Sequence, residues 1–334
     1  MSKLFERAAI STNTQQYTYI SQLHFQDKII GNTFFVQLDT LEQLPFFNVN
    51  SMVYSTIEQK LSSLKRLFPH NLTILIEKPK KRRIKTRKII HVSYQLLQRS
   101  TWNATPNTLS TIGKKDTCAV IGNSGILLSS SCGQEIDSHD FVMRSNLAPI
   151  KGFENDVGTK TDFASVNGEL ATIALACFNN ESDKCHKEML NRFADYKTSI
   201  LWLSKLGRYR KRTYLGVISQ LYKHNIRSKI AYPYRHIGAE IVSFWNITSP
   251  SSGLFLYTVA ASLCKTVSLY GFYPFHKSPN GRELKHHYFE ERTMNYSTLH
   301  RMPEEFKMFT ILHKAGFINL VTDSCLQNTS HLQN

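Results

Sequence analysis

The stretch that decides the fold covers residues 118–167 and reads CAVIGNSGILLSSSCGQEIDSHDFVMRSNLAPIKGFENDVGTKTDFASVN. The apolar run Cys118–Ile121 predicts a buried strand, which ends in the turn Gly122–Gly125, where two glycines let the backbone approach a ligand closely. A second such unit follows, the strand-like run Asp140–Met143 and then Arg144–Asn146. Strand, glycine-rich turn and helix are the parts of an α/β nucleotide site, in which ligands bind beyond the carboxyl ends of parallel strands.

The chain is long enough, at 334 residues, for one large α/β domain or two smaller ones. Its formal charge is +16, from 41 Lys and Arg against 25 Asp and Glu. Such a charge favours anionic partners: nucleic acid, a membrane surface, or an acidic small molecule or polymer. A solubilising surface gives the same charge, and no recognised nucleic-acid-binding module is present.

Cysteines and glycosylation sequons together favour an oxidising secretory compartment. The six cysteines allow 15 pairings, and the sequence alone selects none of them. The N-x-S/T sequons lie at Asn71, Asn103, Asn180, Asn246, Asn295 and Asn328. Residues 1–30 are polar, and no apolar run reaches the roughly 18 residues of a membrane span, so no signal peptide or spanning helix is visible.

A second candidate anion site follows further along the chain. Ser251 and Ser252 before Gly253 suit a helix start, whose free N–H groups favour an anion, although an ordinary N-cap gives the same local pattern. The predicted helix Leu254–Leu263 then leads into a predicted strand, Thr266–Tyr270. This pattern predicts a helix that points its amino end at a phosphate.

Two histidines head short motifs, HYFE beginning at His287 and HRMPEE beginning at His300. Pro303 suits the first turn of a predicted helix, Glu304–Lys314, so His300 is expected in the loop that enters it. A histidine is more often structural or at the surface than a base, and His300 stands out only through its motif.

Two basic regions are candidates for polyanion binding. The first is Lys78–Lys88, for which a solvated segment, a nuclear-localisation signal and acceptor binding remain open. The second consists of Lys205, Arg208, Arg210, Lys211, Arg212, Lys223, Arg227, Lys229 and Arg235. A groove lined by such residues binds a polyanion through counterion release, but an ordinary basic helix face has the same pattern.

These motifs together resemble the animal sialyltransferases. Residues 118–162 look like the long sialylmotif and residues 249–275 like the short one, while His287 and His300 begin segments similar to the third and very short motifs. The sequence segments NSGIL, CGQEIDSHDFV and DVGTKTD most resemble the α2,8 branch, and within it the polysialyltransferases. The resemblance runs from about Ile89 to Cys325 in the family's motif order.

The resemblance implies an α/β fold, a Rossmann-like variant of the GT-A type, with a mostly parallel central sheet flanked by helices. We accordingly expect a stem or N-terminal region at residues 1–88, a catalytic sialyltransferase domain at 89–328 and a tail at 329–334. Family members are Golgi membrane proteins with a luminal catalytic domain, so an N-terminal anchor is expected from the family but is not seen in this sequence.

The implied reaction is an inverting transfer of sialic acid from CMP-sialic acid, in α2,8 linkage, to sialylated N-glycans of glycoproteins, with oligo- or polysialic acid as an extended product. The implied partners are a sialylated acceptor and an anionic glycan polymer on the basic surface, and not nucleic acid. No cofactor and no metal is implied. Two alternatives remain: a mono- or oligosialyltransferase acting on glycolipids (gangliosides), and a catalytically weakened polyanion-binding homologue.

The resemblance also assigns roles at the reacting end of the site. His300 is the expected base, since imidazole can take a proton near neutral pH. Glu305 either orients that imidazole or stabilises its loop. The candidates for donating hydrogen bonds to the donor phosphate are His287, Ser251, Ser252 and Gly253.

Three asparagines match family positions that contact the nucleotide and donor: Asn123, Asn146 and Asn167. An amide side chain can both donate and accept hydrogen bonds. The family usually has Asn-Pro-Ser at the third position, whereas this chain has Gly168 and Glu169 after Asn167. A carboxylate near an anionic donor is unfavourable, so donor binding at this edge is in question.

The resemblance implies two disulfides, Cys118–Cys264 and Cys132–Cys325. The second closes a loop of almost the whole domain, worth ~4–5 kcal/mol in the chain-entropy model. Cys177 and Cys185 lie outside the motifs, and local pairing is one interpretation. A zinc site formed with His186 is not predicted, because its ligand set is incomplete.

Overall fold

The structure, a computed structural model, describes residues 55–63, 75–77, 112–204, 211–232, 237–291 and 300–325. Within these residues eight strands form one sheet in the order β1-β6-β5-β4-β3-β2-β7-β8. The strands are β1 (Leu75–Glu77), β2 (Lys115–Ile121), β3 (Phe141–Arg144), β4 (Phe163–Ser165), β5 (Ile200–Trp202), β6 (Lys229–Tyr232), β7 (Cys264–Tyr270) and β8 (Asn319–Val321). β1 is antiparallel to β6, and all the other neighbouring pairs among them are parallel.

Helices connect the parallel strands, except for the first helix, which precedes β1. They are α1 (55–63), α2 (Gly133–Ser138), α3 (Glu154–Val157), α4 (Gly168–Phe178), α5 (Lys184–Asp195), α6 (Lys211–Lys223), α7 (Ile237–Trp245), α8 (Ser252–Leu263) and α9 (Met302–Lys314), in the described residues. None of them is both long and apolar enough to cross a membrane.

The strand order reverses at β2. From β2 the chain builds the sheet outward through β3, β4, β5 and β6, and it then returns to add β7 and β8 on the other side of β2. In an open parallel sheet, ligands bind in the crevice at this reversal, beyond the carboxyl ends of the strands. The fold therefore places its expected binding site at the ends of β2 and β7.

The sheet is buried on both faces, which explains its continuous apolar runs. On β2, Cys118 and Val120 join a core that includes Leu312 of α9. Ala119 and Ile121 join the core on the opposite face, which includes residues of α2. A strand with two buried faces has no alternating polar positions, and this is why the run at the start of the first motif predicted a strand.

Three disulfides join the described elements. Cys118–Cys264 ties β2 to the start of β7, and Cys132–Cys325 ties the residue before α2 to the chain after β8. These are the pairs that the family resemblance implies. Cys177–Cys185 joins the end of α4 to the start of α5, so neither sulfur is a free thiolate for zinc.

The predicted α/β fold, with a mostly parallel central sheet flanked by helices, is confirmed. α8 begins at Ser252 and α9 at Met302, each two residues before the predicted start. The turn that follows β2 differs from the pattern of strand, turn and α-helix. Only a 3-10 turn, Gly125–Leu127, follows directly, because Ser129 and Ser131 adopt left-handed backbone angles that delay the first α-helix to Gly133.

Candidate active site

The turn after β2 lies against the end of β7. The Gly122 N–H donates to the Tyr270 carbonyl at 2.7 Å, and the Ser124 N–H donates to the Gly271 carbonyl at 3.1 Å. The Ser124 hydroxyl also donates to the Tyr273 carbonyl, at 2.7 Å. A Cβ atom on Gly122 would lie 2.4 Å from the Gly271 carbonyl oxygen, so only glycine allows this approach. Hydrogen bonds therefore join the turn after β2 to the end of β7 and the residues that follow it.

Asn123 presents an unused hydrogen-bond acceptor in this turn. Its Oδ1 atom is buried and has no hydrogen-bond partner among the residues that the structure describes. Its backbone carbonyl accepts from the Tyr288 N–H at 2.9 Å, which fixes the residue in place. Buried polar atoms in native proteins are nearly always paired, so an unpaired one at the expected site is suited to a ligand donor.

Asn146 joins the ends of β3 and β4. Its backbone N–H donates to the Ser165 hydroxyl at 3.1 Å, and its Oδ1 accepts from that hydroxyl and from the Asn167 N–H, each at 3.3 Å. Asn146 itself has a left-handed backbone, with φ of 54°. Two of the three predicted asparagines are therefore in direct contact.

Asn167 is the N-cap of α4, since its Oδ1 accepts from the Leu170 N–H at 2.8 Å. Glu169, whose charge raised a question about donor binding, is exposed in the first turn of α4. A carboxylate there is favourable for the helix dipole. Part of the amide of Asn167 is thus committed to the fold, and its NH2 group is the part suited to a ligand.

The amino end of α8 lies beside the turn after β2. The Ser251 hydroxyl caps the helix by accepting from the Leu254 N–H at 3.1 Å. The Ser252 and Gly253 N–H groups follow in the first turn, where backbone N–H groups lack an intrahelical acceptor. A Cβ atom on Gly253 would lie 2.6 Å from the ring of Phe272, and the same ring lies 3.2 Å from a Cβ placed on Gly122. Phe272 therefore packs between the turn after β2 and the start of α8.

His300 is placed beside the start of α8. Its Nδ1 lies 2.7 Å from the Ser249 carbonyl oxygen, two residues before the helix cap. A carbonyl can only accept, so Nδ1 donates in this contact, and neutral imidazole then carries its free lone pair on Nε2. His300 is half-buried, in the loop that enters α9, as its motif predicted. The geometry leaves Nε2 as the basic nitrogen.

His287 lies on a segment that crosses the site from the turn after β2 to the loop after β3. The Gly125 N–H donates to the Lys285 carbonyl at 3.1 Å, and the Tyr288 hydroxyl donates to the Pro149 carbonyl at 2.6 Å. The Nδ1 of His287 lies 3.0 Å from Glu290 Oε2.

The structure therefore brings the predicted residues to one edge of the sheet. Asn123, Asn146 and Asn167 follow the carboxyl ends of β2, β3 and β4 in turn. The α8 start connects to this edge through Phe272, and His300 connects to the α8 start. Between His287 and His300, residues 292–299 lie outside the described part of the chain.

Two residues of this edge were missed from the sequence. Phe272 stands directly after Gly271, the glycine that follows β7, and this position was the signal that could have found it. Arg192 on α5 donates to the Asn146 carbonyl at 3.1 Å but lies in no motif. Nothing in the local sequence distinguishes it from the other basic residues of that helix.

The predicted polyanion regions fall mostly outside the described residues. The whole run Lys78–Lys88 lies there, as do Lys205, Arg208, Arg210 and Arg235. In the described part, the side chain of Arg212 is exposed. Within the same part, no group of three or more His, Cys, Asp or Glu side chains is arranged to hold a metal ion.

Comparison with known proteins gives similar sequences and similar structures. Two proteins named alpha-N-acetylneuraminide alpha-2,8-sialyltransferase are similar to the chain. The Xenopus laevis protein is 34% identical over 220 residues, which cover 64% of this chain and 60% of that protein. The Xenopus tropicalis protein is 33% identical over 227 residues, which cover 64% and 62%. The chain thus spans about three fifths of the length of these relatives.

Among solved structures, one described as the crystal structure of a mammalian sialyltransferase is 22% identical, with a TM-score of 0.47, and the match covers 89% of this chain and 96% of that one. The sequence model of glycosyltransferase family 29 (sialyltransferase) matches residues 61–317, well over half of the chain. The chain therefore belongs to glycosyltransferase family 29, the sialyltransferases.

Proposed function

We propose that this protein transfers sialic acid from CMP-sialic acid, in α2,8 linkage and with inversion, to the sialylated glycans of glycoproteins. Its family membership and the names of its relatives support this activity. The observation that carries the proposal is the convergence, at the strand reversal, of the unpaired Asn123 Oδ1, the start of α8 and the imidazole of His300.

His300 is the base in this proposal. An inverting transfer needs one group to take the proton of the acceptor hydroxyl as its oxygen attacks the anomeric carbon. The hydrogen bond from Nδ1 to the Ser249 carbonyl fixes the ring and places the lone pair of the neutral imidazole on Nε2, the nitrogen that receives that proton. The protonated ring then still donates through Nδ1, so the Ser249 contact is kept through the reaction.

The start of α8 receives the leaving phosphate. The bond between the anomeric carbon and the phosphate oxygen breaks with its electron pair on oxygen, so negative charge grows on CMP. The Ser252 and Gly253 N–H groups and the positive end of the α8 dipole stabilise that charge. His287, held near the turn after β2 by its own segment, adds a donor on the other side.

The asparagines bind the rest of the donor. The Asn123 Oδ1 accepts a hydrogen bond from the nucleotide, which pairs a buried atom that has no partner in the described part of the chain. Asn146 and Asn167, which contact each other at 3.3 Å, act together at the neighbouring strand ends. Metal-independent transfer is part of the proposal, with basic and imidazole side chains meeting the phosphate charge.

The net charge and the disulfides support proposals for the acceptor and the compartment. A charge of +16 suits a sialylated acceptor and a growing anionic glycan, held on the basic regions. Three disulfides among the described residues suit an oxidising lumen, and we propose the Golgi as the compartment.

The test is transfer from labelled CMP-sialic acid to three acceptors: an α2,3-sialylated glycoprotein, the same glycoprotein after desialylation, and a ganglioside. We expect transfer to the first, none to the second, and α2,8 linkages in the product. Transfer confined to the ganglioside would establish the glycolipid alternative. Absence of transfer, together with no thermal stabilisation by CMP, would contradict the proposal, because a ligand at 100 times its Kd stabilises a protein by about 2.7 kcal/mol.

A further inference from the structure

The loop after β3 holds two consecutive residues in an unfavourable backbone conformation. Asn146 has φ of 54° and Leu147 has φ of 50°, both in the left-handed region. This conformation costs a non-glycine residue roughly 1–2 kcal/mol, and Leu147, which is fully buried, lacks the polar side chain that makes it easier for asparagine. The surrounding structure must therefore hold the pair in place.

Arg192, on the last turn of α5, holds both residues. Its Nη2 donates to the Asn146 carbonyl at 3.1 Å, and its Nε donates to the Leu147 carbonyl at 2.5 Å. The two parallel donors of a guanidinium fork fit two neighbouring acceptors at a fixed angle. The same guanidinium lies 5.4 Å from the centre of the Phe289 ring, on the segment that carries His287.

The carbonyls that follow are satisfied by two buried tyrosines. The Tyr196 hydroxyl donates to the Ala148 carbonyl at 2.5 Å, and the Tyr288 hydroxyl donates to the Pro149 carbonyl at 2.6 Å. Burial raises the pKa of both hydroxyls, that of Tyr196 to about 12, so both remain donors at neutral pH. The four carbonyls of residues 146–149 thus each receive a side-chain donor.

We infer that Arg192 is a positioning residue for donor binding, because its fork fixes the left-handed backbone that aims the Asn146 amide. This inference rests on the proposed function, in which Asn146 contacts the donor. Arg192 acts on the two carbonyls at the strained end of the loop, whereas the tyrosines secure the other end. Lysine carries the same charge but has no fork, so it cannot reproduce the paired contact.

The test compares Arg192→Met and Arg192→Lys with a matched control, Arg227→Met. Arg227 is also half-buried, donates to a left-handed asparagine (Asn225 Oδ1, 3.2 Å) and lies 4.9 Å from the Tyr222 ring centre. It precedes the amino end of β6 and is thus at the opposite edge of the sheet from the site. The control therefore removes the same kind of contacts away from the site.

We expect Arg192→Met to weaken CMP binding about tenfold or more, which corresponds to at least ~1.4 kcal/mol. Arg192→Lys should recover only part of that loss, and Arg227→Met should bind CMP like the wild type. Calorimetric titration with CMP gives the affinity, and thermal unfolding without ligand gives the stability. If Arg192→Met and Arg227→Met lose equal stability and Arg192→Met binds CMP with the wild-type affinity, Arg192 is merely structural. If Arg192→Met does not fold, Arg192→Lys provides the same comparison.

A double-mutant cycle with Asn146→Ala separates this inference from the proposed function. If Arg192 acts through Asn146, its replacement should change CMP affinity by less than about twofold once that amide is absent. The same tenfold loss in both backgrounds would overturn the inference alone. Failure of the wild type to bind CMP would overturn the proposed function and the inference with it.

Discussion

The buried carboxylate of Glu305 accepts two hydrogen bonds from Ser251, from the backbone N–H at 2.7 Å and from the hydroxyl at 2.5 Å. Ser251 is the N-cap of α8, so the first turn of α9 holds the start of α8. His300 binds the Ser249 carbonyl two residues earlier. The expected base and the expected phosphate site are therefore parts of one hydrogen-bonded unit. Glu305 thus contacts the start of α8 directly, and its expected role in orienting the imidazole or stabilising the loop stays a prediction.

Replacing Glu305 by Gln should destabilise the protein by about 1–3 kcal/mol, because an NH2 donor then replaces one of the two acceptor oxygens and faces a donor of Ser251. Urea unfolding under oxidising conditions measures this. The matched control is Glu304→Gln, since Glu304 is exposed and pairs with Arg301 at the surface, where ion pairs contribute up to ~1 kcal/mol. Equal losses in the two variants would contradict the role of Glu305.

Replacing Gly122 by Ala should disrupt the base of the site. The new methyl group would lie 2.4 Å from the Gly271 carbonyl oxygen and 2.9 Å from its carbon, and both are backbone atoms of the neighbouring strand end. We expect lower thermal stability and loss of CMP binding. Gly238→Ala, early in α7, is the control, because among the described residues its Cβ would meet only Phe255, at 3.6 Å. Unchanged CMP affinity in Gly122→Ala would show that this close approach is not needed.

The three disulfides should contribute unequally to stability. Cys118–Cys264 spans 146 residues and Cys177–Cys185 spans 8. In the chain-entropy model the long loop is worth about 5 kcal/mol and the short one about 2.6 kcal/mol. Replacing both cysteines of each pair by Ala and measuring urea unfolding should show the larger loss for the long loop. A larger loss for the short loop would mean that native contacts, and not chain entropy, decide the order.

Asp137 should make the protein sensitive to acid. Burial alone would raise its pKa, but hydrogen bonds from Thr159 and Lys160 and the attraction of Arg144 outweigh that effect and lower it. A carboxyl group with a lowered folded pKa stabilises the protein above its unfolded pKa, near ~3.9, and this contribution is lost as the pH falls through the folded pKa.

Asp137→Asn should therefore cost about 1–3 kcal/mol at pH 7, and its difference from the wild type should shrink as the pH falls below about 4. Unfolding at pH 7, 5 and 3 measures the trend. The exposed Asp195→Asn is the control and should change stability by less than ~0.5 kcal/mol at each pH. A constant difference between wild type and Asp137→Asn from pH 7 to 3 would contradict this explanation.

Much of the fold followed from local sequence. The run Cys118–Ile121 predicted β2 because both faces of that strand are buried, and Ser251 predicted the start of α8 because its hydroxyl caps the helix. The delayed helix at Gly133 was not predicted, since it depends on left-handed angles at two serines.

The contacts between residues of the candidate site could not be predicted from local sequence. Glu305 meets Ser251 across 54 residues, and Arg192 meets Asn146 across 46. Only the sheet order, which places β2 between β3 and β7, brings such distant segments together. The motifs indicated the candidate residues of the site, but the residues that hold them have ordinary side chains at ordinary helix positions.

The central claim is that one site both binds the nucleotide and supplies the base. It is tested by measuring CMP affinity and single-turnover transfer in parallel, in the wild type and in His300→Ala. We expect the CMP affinity to change by no more than about twofold and the transfer rate to fall by a factor of roughly 10²–10⁴, the usual contribution of general base catalysis. Wild-type transfer rates in His300→Ala would contradict the assignment of His300 as the base.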